Sequence, residues 1–132
     1  MSSYNCTTRL IKITAEPVFL DEESQPEDDY YVWAYTIVIE NTGKEVVQLL
    51  SRHWMITDAH GRVHEVRGPG VVGEQPILQP GESFEYTSGT PLSTTTGIMV
   101  GSYEMTTNSG EKFDVEVPPF SLDCPYAVHN VH

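Results

Sequence analysis

Tyr31, Trp33, Tyr35, Ile37 and Ile39 place a large apolar side chain at every second position, without interruption. Successive side chains of an extended chain point to opposite faces, so this spacing lines all five along one side of a β-strand. The intervening Tyr30, Val32, Ala34, Thr36 and Val38 are also largely apolar, which fits a central strand covered on both faces. The same period of two recurs in Ile11, Ile13 and Ala15, and in Leu50, Arg52, Trp54 and Ile56 against Leu49, His53 and Met55. It returns in Phe84 and Tyr86, in Met99, Gly101, Tyr103 and Met105, and in Phe113, Val115 and Val117. No window keeps a helical period beyond a turn or two. The chain therefore predicts an all-β fold, an immunoglobulin-like or fibronectin type III-like β-sandwich of about seven or eight strands. Trp33, Tyr35, Ile37, Trp54, Ile56, Phe84, Tyr86, Met99 and Tyr103 are its expected core, with Trp54 filling the middle.

The breaks in this pattern mark the connections. Pro17 limits the first strand, begun at Ile11, to a sheet edge or a bend. The acidic run from Asp21 to Asp29 reads as a mobile hairpin connection, since like charges cannot be packed together. Asn41 to Lys44, Asp58 to Gly61, Gln79 to Gly81 and Asn108 to Gly110 are turns. Glu45 to Thr57 is the returning strand, Ser88 to Ser93 a polar connection, and Pro118-Pro119 the end of the last strand. With 132 residues, no repeat and no linker, residues 1–132 form a single domain.

Charge excludes several classes of function. The 19 acidic and 7 basic residues give a net charge of −12, which repels phosphate backbones and anionic membranes alike. No apolar run is long enough to span a membrane, and Met1 to Arg9 lack the features of a signal peptide, so a soluble, cytoplasmic protein is expected. A reducing cytosol favours two free thiols at Cys6 and Cys124 over a disulfide. His53, His60, His64, His129 and His132 show no metal-ligand spacing, and no nucleophile with an adjacent base can be named. Neither an enzyme, nor a cofactor, nor a resident metal is expected. Cobalt or magnesium would bind only weakly, through scattered carboxylates such as Asp28 and Asp29.

Gly68, Gly70 and Gly73 spell G-x-G-x-x-G, a pattern that in dinucleotide-binding folds brings backbone close to a pyrophosphate and opens a helix. Here Glu74, Pro76 and the Gln79-Pro80-Gly81 turn stand where that helix should follow. What is left is a glycine-rich loop between strands, whose glycines can serve a tight path alone. Beside it, Arg52, Arg62 and Arg67 are three of the four arginines and make Ser51 to Gly73 net positive by one charge. Arginine forks suit phosphate or carboxylate oxygens, although pairing with Asp58 or Glu65 would occupy them.

At Ser51-Arg52-His53-Trp54-Met55-Ile56-Thr57-Asp58, Gly68 to Pro76, Pro80 to Gly89 and Gly97-x-Met99-x-Gly101-x-Tyr103-x-Met105, the sequence resembles the ApaG family. The resemblance covers nearly the whole chain and implies a fibronectin-type sandwich, typically a stand-alone bacterial protein. It also implies kinship with domains appended to some F-box proteins and to a polymerase-delta-interacting protein, and a role in cobalt and magnesium efflux. A chain with no membrane span is not itself a pore, so that role would be to regulate or assist one.

A non-enzymatic interaction domain is therefore expected, with a protein partner docking on the region from Arg52 to Gly89. The alternative is a binder of a phosphorylated ligand, a nucleotide or pyrophosphate, at the Gly68–Gly73 loop. In either case Arg52, Arg62, Arg67, Gly68, Gly70 and Gly73 are the candidate binding residues. Edge strands also offer a route to oligomers.

Overall fold

The computed structural model describes residues 3–125. Nine strands follow one another: β1 (Tyr4–Thr8), β2 (Ile11–Phe19), β3 (Tyr31–Asn41), β4 (Val47–Asp58), β5 (Val63–Pro69), β6 (Ile77–Leu78), β7 (Ser83–Leu92), β8 (Thr96–Thr107) and β9 (Lys112–Asp123). They form two antiparallel sheets, one in the order β1-β2-β3-β7 and the other β5-β4-β8-β9 with the two-residue β6 pairing β4. The described residues contain no α-helix. This is the sandwich that the period of two predicts, with one more strand than the range expected.

The stripe from Tyr31 to Ile39 is buried throughout and joins one core cluster with Trp54, Met99, Tyr103 and Phe120 of the facing sheet. Trp54 lies between the layers, 5.5 Å from the Tyr35 ring, 6.0 Å from Tyr103 and 6.2 Å from Phe120, in edge-on arrangements that aromatic quadrupoles favour. Of the expected core residues only Phe84 stays half-buried, because β7 is the last strand of its sheet.

Several local expectations are corrected, each for a physical reason. A strand, β1, precedes Ile11; the turn joining it to β2 is Arg9-Leu10, both in the left-handed region at φ 48° and 67°, with no glycine or asparagine to announce it. Pro17 sits in β2 between two neighbours, yet the β1 ladder stops opposite Ala15, so no partner on that side needs its missing amide. The acidic run does join a hairpin, but as two short 3-10 turns, Asp21–Glu23 and Pro26–Asp28. β4 does not return beside β3: it crosses to the second sheet. The crossing is fixed by buried Asn41, whose Nδ2 donates to Glu45 O and Leu78 O while its Oδ1 accepts from Gly43 N.

A register shift between Leu49 and Ser51 reverses the faces of β4, so the partner of Trp54 in the core is Leu49 and not Leu50. β7 continues through Ser88 to Leu92, paired with Tyr31–Tyr35; Pro91 is tolerated because the strand is an edge. β9 likewise runs on past Pro118-Pro119, where a second register shift adds a residue and turns Phe120 and Leu122 inward. Cys6 and Cys124 are free thiols; Cys6 Sγ donates to Glu116 O, and burial first, then the Glu116 charge, pushes its pKa up.

Candidate functional site

The sandwich is closed along one margin, where β9 packs against β1 and β2. Along the other margin β5 and β7 make no comparable contact. Between them opens a cleft of about 480 Å³, floored by Tyr35, Arg52 and Trp54 and walled by His64 and Val66 of β5 and by Ser88 to Leu92 of β7. Two of the segments that carry the sequence resemblance, the one at Arg52 and the one ending at Gly89, therefore meet in space.

Arg52 shares the inner face of its strand with Trp54, two residues on, and the Leu49/Ser51 shift brings Leu49 to that face in place of Leu50. Its guanidinium lies flat against β5, donating from Nη1 to Pro69 O at 3.0 Å and Gly70 O at 2.9 Å. Gly68 makes this possible: a Cβ at that position would meet the guanidinium at 3.0 Å. Below it lies a phenol cluster in which the Tyr86 and Tyr103 hydroxyls share a 2.6 Å hydrogen bond. Burial pushes both of these phenols, and Tyr35, above the ordinary range, while the positive charge of Arg52 pulls in the other direction.

The glycine loop is a tight hairpin turn. Val71 N donates to Glu74 O and Glu74 N to Val71 O, while Gly70 N donates to Leu50 O. These three amides are thus directed into the fold. Gly70 (φ 61°) is required by more than its dihedral, since a Cβ there would lie 2.2 Å from Glu74 O. Val71, buried at the tip of this turn, is a core residue that the alternating pattern did not reveal.

The three arginines do not gather at one point: Arg62 stands apart from the other two. Arg67 shares with Arg52, Ser51 and Gly68 a second groove of about 550 Å³, which Glu104 and Asp114 also line. Its Nη2 donates to Glu65, which also meets His53; the hydrogen bond from His53 and then the Arg67 charge hold the Glu65 carboxyl below its usual range. Arg62 stands at the far end of β5, donating to Asp58 Oδ2 and to Ser93 Oγ, and so pins the β4–β5 turn to the segment after β7. Burial raises the Asp58 pKa, but the Arg62 and His60 amides and the guanidinium outweigh it and leave it lowered.

Among the described residues no group of three or more His, Cys, Asp or Glu side chains is arranged to hold a metal ion. His129 and His132 lie outside the described residues. No helix among those residues is long and apolar enough to cross a membrane.

The ApaG domain family model matches residues 21–107. Protein ApaG of Parvibaculum lavamentivorans is 61% identical over 129 residues, covering 98% of this chain and 99% of its own. Protein ApaG of Rhodospirillum centenum is 63% identical over 123 residues, covering 93% of this chain and 95% of its own. Among solved structures, the crystal structure described as that of an ApaA protein from Bordetella pertussis superposes with a TM-score of 0.85 at 49% identity, over 87% of this chain and 94% of that one.

Proposed function

The chain belongs to the ApaG domain family, and from that membership we propose that it is a non-enzymatic interaction domain whose partner docks on the region from Arg52 to Gly89. The observation that carries this reading is the cleft between β5 and β7, where Arg52 and the Ser88-Gly89 segment come together although they lie far apart in sequence. Packing asks only for apolar residues at alternate positions, so polar and glycine residues held at an open margin are more readily explained by recognition. We place the protein in the cytoplasm, and assign the cobalt and magnesium efflux that the family resemblance implies to contacts with another protein. On this account cobalt or magnesium binds the chain weakly; calorimetry showing a stoichiometric, tight site at physiological salt would revive a metal-sensing role.

A second reading puts a phosphorylated ligand, a nucleotide or pyrophosphate, against Gly68, Gly70 and Gly73. It is favoured by Arg52 and Arg67 sharing one groove with Ser51. Weighing against it are Glu104 and Asp114 in the same groove, and the loop amides already bonded to Leu50, Val71 and Glu74. Arg62 contributes to neither groove; its part is to hold the end of the cleft.

The two are separated by a pull-down run beside titrations with inorganic pyrophosphate and a dinucleotide polyphosphate, using the native chain, Arg67→Ala and the Arg62→Ala, Arg67→Ala pair. A protein retained by the native chain and insensitive to pyrophosphate supports the interaction domain. Saturable pyrophosphate or dinucleotide binding, lost on Arg67→Ala, supports the second reading. No partner and no ligand for the native chain would overturn both.

A further inference from the structure

The chemistry of the open cleft narrows what it can receive. In a chain with 19 acidic and 7 basic residues, no residue lining this cleft is acidic, while Arg52 and His64 both are present. The four ion pairs among the described residues are Arg9–Glu111, His53–Glu65, Arg62–Asp58 and Arg67–Glu65. Arg52 is in none of them: neutral carbonyls of Pro69 and Gly70 hold it in place. A guanidinium has five N–H donors and keeps its charge, so one fixed by neutral acceptors beside Trp54 is oriented but not neutralised. Partial removal from bulk water strengthens its attraction for an anion, and its planar fork matches a carboxylate.

The shape of the margin supplies the second constraint. Among the described residues β7 is the edge of its sheet for ten residues, with β3 its one neighbour in the sheet order. An edge strand carries a row of backbone N–H and C=O groups available to a further strand, a row that on β7 lacks one N–H at Pro91. Along β7, Ser88, Thr90 and Leu92 all line the cleft, and Gly89 between them adds no side-chain bulk. An extended segment laid beside this edge would continue the ladder and send alternate side chains over Trp54 and Val66, with one within reach of Arg52.

We infer that the cleft receives an extended acidic segment of a partner protein, added to β7 as a further strand with one of its carboxylates on Arg52. A second copy of the chain is a poorer occupant, because two bodies of net charge −12 repel each other. The inference rests on the interaction-domain reading and gives that reading a partner chemistry and a docking mode.

The test uses a random-sequence peptide library displayed on phage, panned on the native chain. The expected enrichment is an aspartate or glutamate at one position, flanked by β-branched or aromatic residues at alternate positions. The best selected peptide is then synthesised in three forms: as selected, with its acid changed to the amide, and with alternate backbone amides methylated. The first should bind with new amide-exchange protection in Ser83–Leu92, and the other two about ten-fold or more weaker. Arg52→Met should weaken the selected peptide to the same extent; His64→Ala, at an exposed position, should weaken it by less and leaves the fold untouched even where Arg52→Met does not. Peptides with no acidic preference, equal binding of the acid and amide forms, or protection confined to other strands would overturn the inference. If no peptide is enriched while the pull-down still yields an Arg67-dependent partner, strand addition falls and the interaction domain stands. Displacement of the peptide by pyrophosphate alone, with no change in β7 exchange, would replace it by a small-anion site.

Discussion

Where β9 meets β1 and β2, the two sheets close over Ile13, Ala15, Phe120 and Leu122, all essentially without exposure, and Tyr4 packs 6.2 Å from the Phe120 ring. Where β5 faces β7 the sheets stay apart, over the half-buried Arg52, Trp54 and the Tyr35 phenol. The two margins differ in the residues that face inward. The closed margin spends apolar area on stability, at about 25 cal/mol for each Å² buried. The open margin carries a cation and, beneath it, the hydrogen-bonded Tyr86 and Tyr103 hydroxyls, groups that contribute to stability through polar contacts more than through apolar area. On the proposed reading, folding and binding would be separated across the width of one small domain.

Large-to-small changes in the shared centre should have the greatest effect. Phe120→Ala and Trp54→Ala should each cost about 3 to 5 kcal/mol through the cavity left behind. Chemical denaturation reads the loss, and only Trp54→Ala should also weaken the partner, since Trp54 alone of the two floors the cleft. An unchanged midpoint for Phe120→Ala would mean that the closed margin does not hold the sheets together.

The next effects sharpen the comparison on the open side. Gly70→Ala forces a Cβ into Glu74 O at a left-handed φ and should destabilise by about 1 to 3 kcal/mol. Such a loss of midpoint would identify the loop glycine as structural whatever its role in binding. Tyr86→Phe strips the Tyr103 hydroxyl of its partner and should cost about 1 to 3 kcal/mol. The same phenols set a pH dependence. Burial keeps Tyr86 and Tyr103 protonated in the folded chain above the pH at which they ionise when unfolded, near pH 10. The unfolded state therefore releases protons first, and the phenols' contribution to stability should be flat below about pH 10 and fall above it. Denaturation midpoints taken with tyrosinate absorbance check this, and a rise in stability with alkaline pH would contradict the buried assignment. The smallest change is expected from Arg62→Ala: its guanidinium is exposed, and the largely covered Asp58 carboxylate keeps its bonds from the His60 and Arg62 amides, so the midpoint should stay close to native. A strong loss of partner binding in that variant would extend the site to the end of β5.

Much of this architecture was legible in the sequence because it rests on unbroken alternation. Tyr31 to Ile39 and Met99 to Met105 read directly as inward stripes, and the turns at Gly61, Gly81 and Gly110 were marked by glycines at positive φ. Alternation cannot show where a strand gains a residue, so the shift at Leu49/Ser51 exchanged Leu50 for Leu49, and the one at Pro118-Pro119 hid Phe120 and Leu122. Nor does it show which sheet a strand joins. The crossing at Asn41 depends on one buried amide, and the ends of β7 and β9 depend on prolines that only an edge or a bulge makes acceptable. For the site, the family-like segments pointed to Arg52 and Ser88-Gly89. That Arg62 would stand apart, while Arg52 and Arg67 make different bonds beside one groove, follows from their positions in and before β4 and β5, which composition does not encode.

The central claim is that partners meet the protein at the open margin and not at the closed one. It is tested most directly by photo-crosslinking in cells, with a benzophenone side chain placed at Ser88 on β7 or at exposed Asn5 on β1. The account predicts a discrete crosslinked partner band from Ser88 that fades on Arg52→Met, and none from Asn5. Bands from Asn5 alone, or equal bands from both positions, would contradict it.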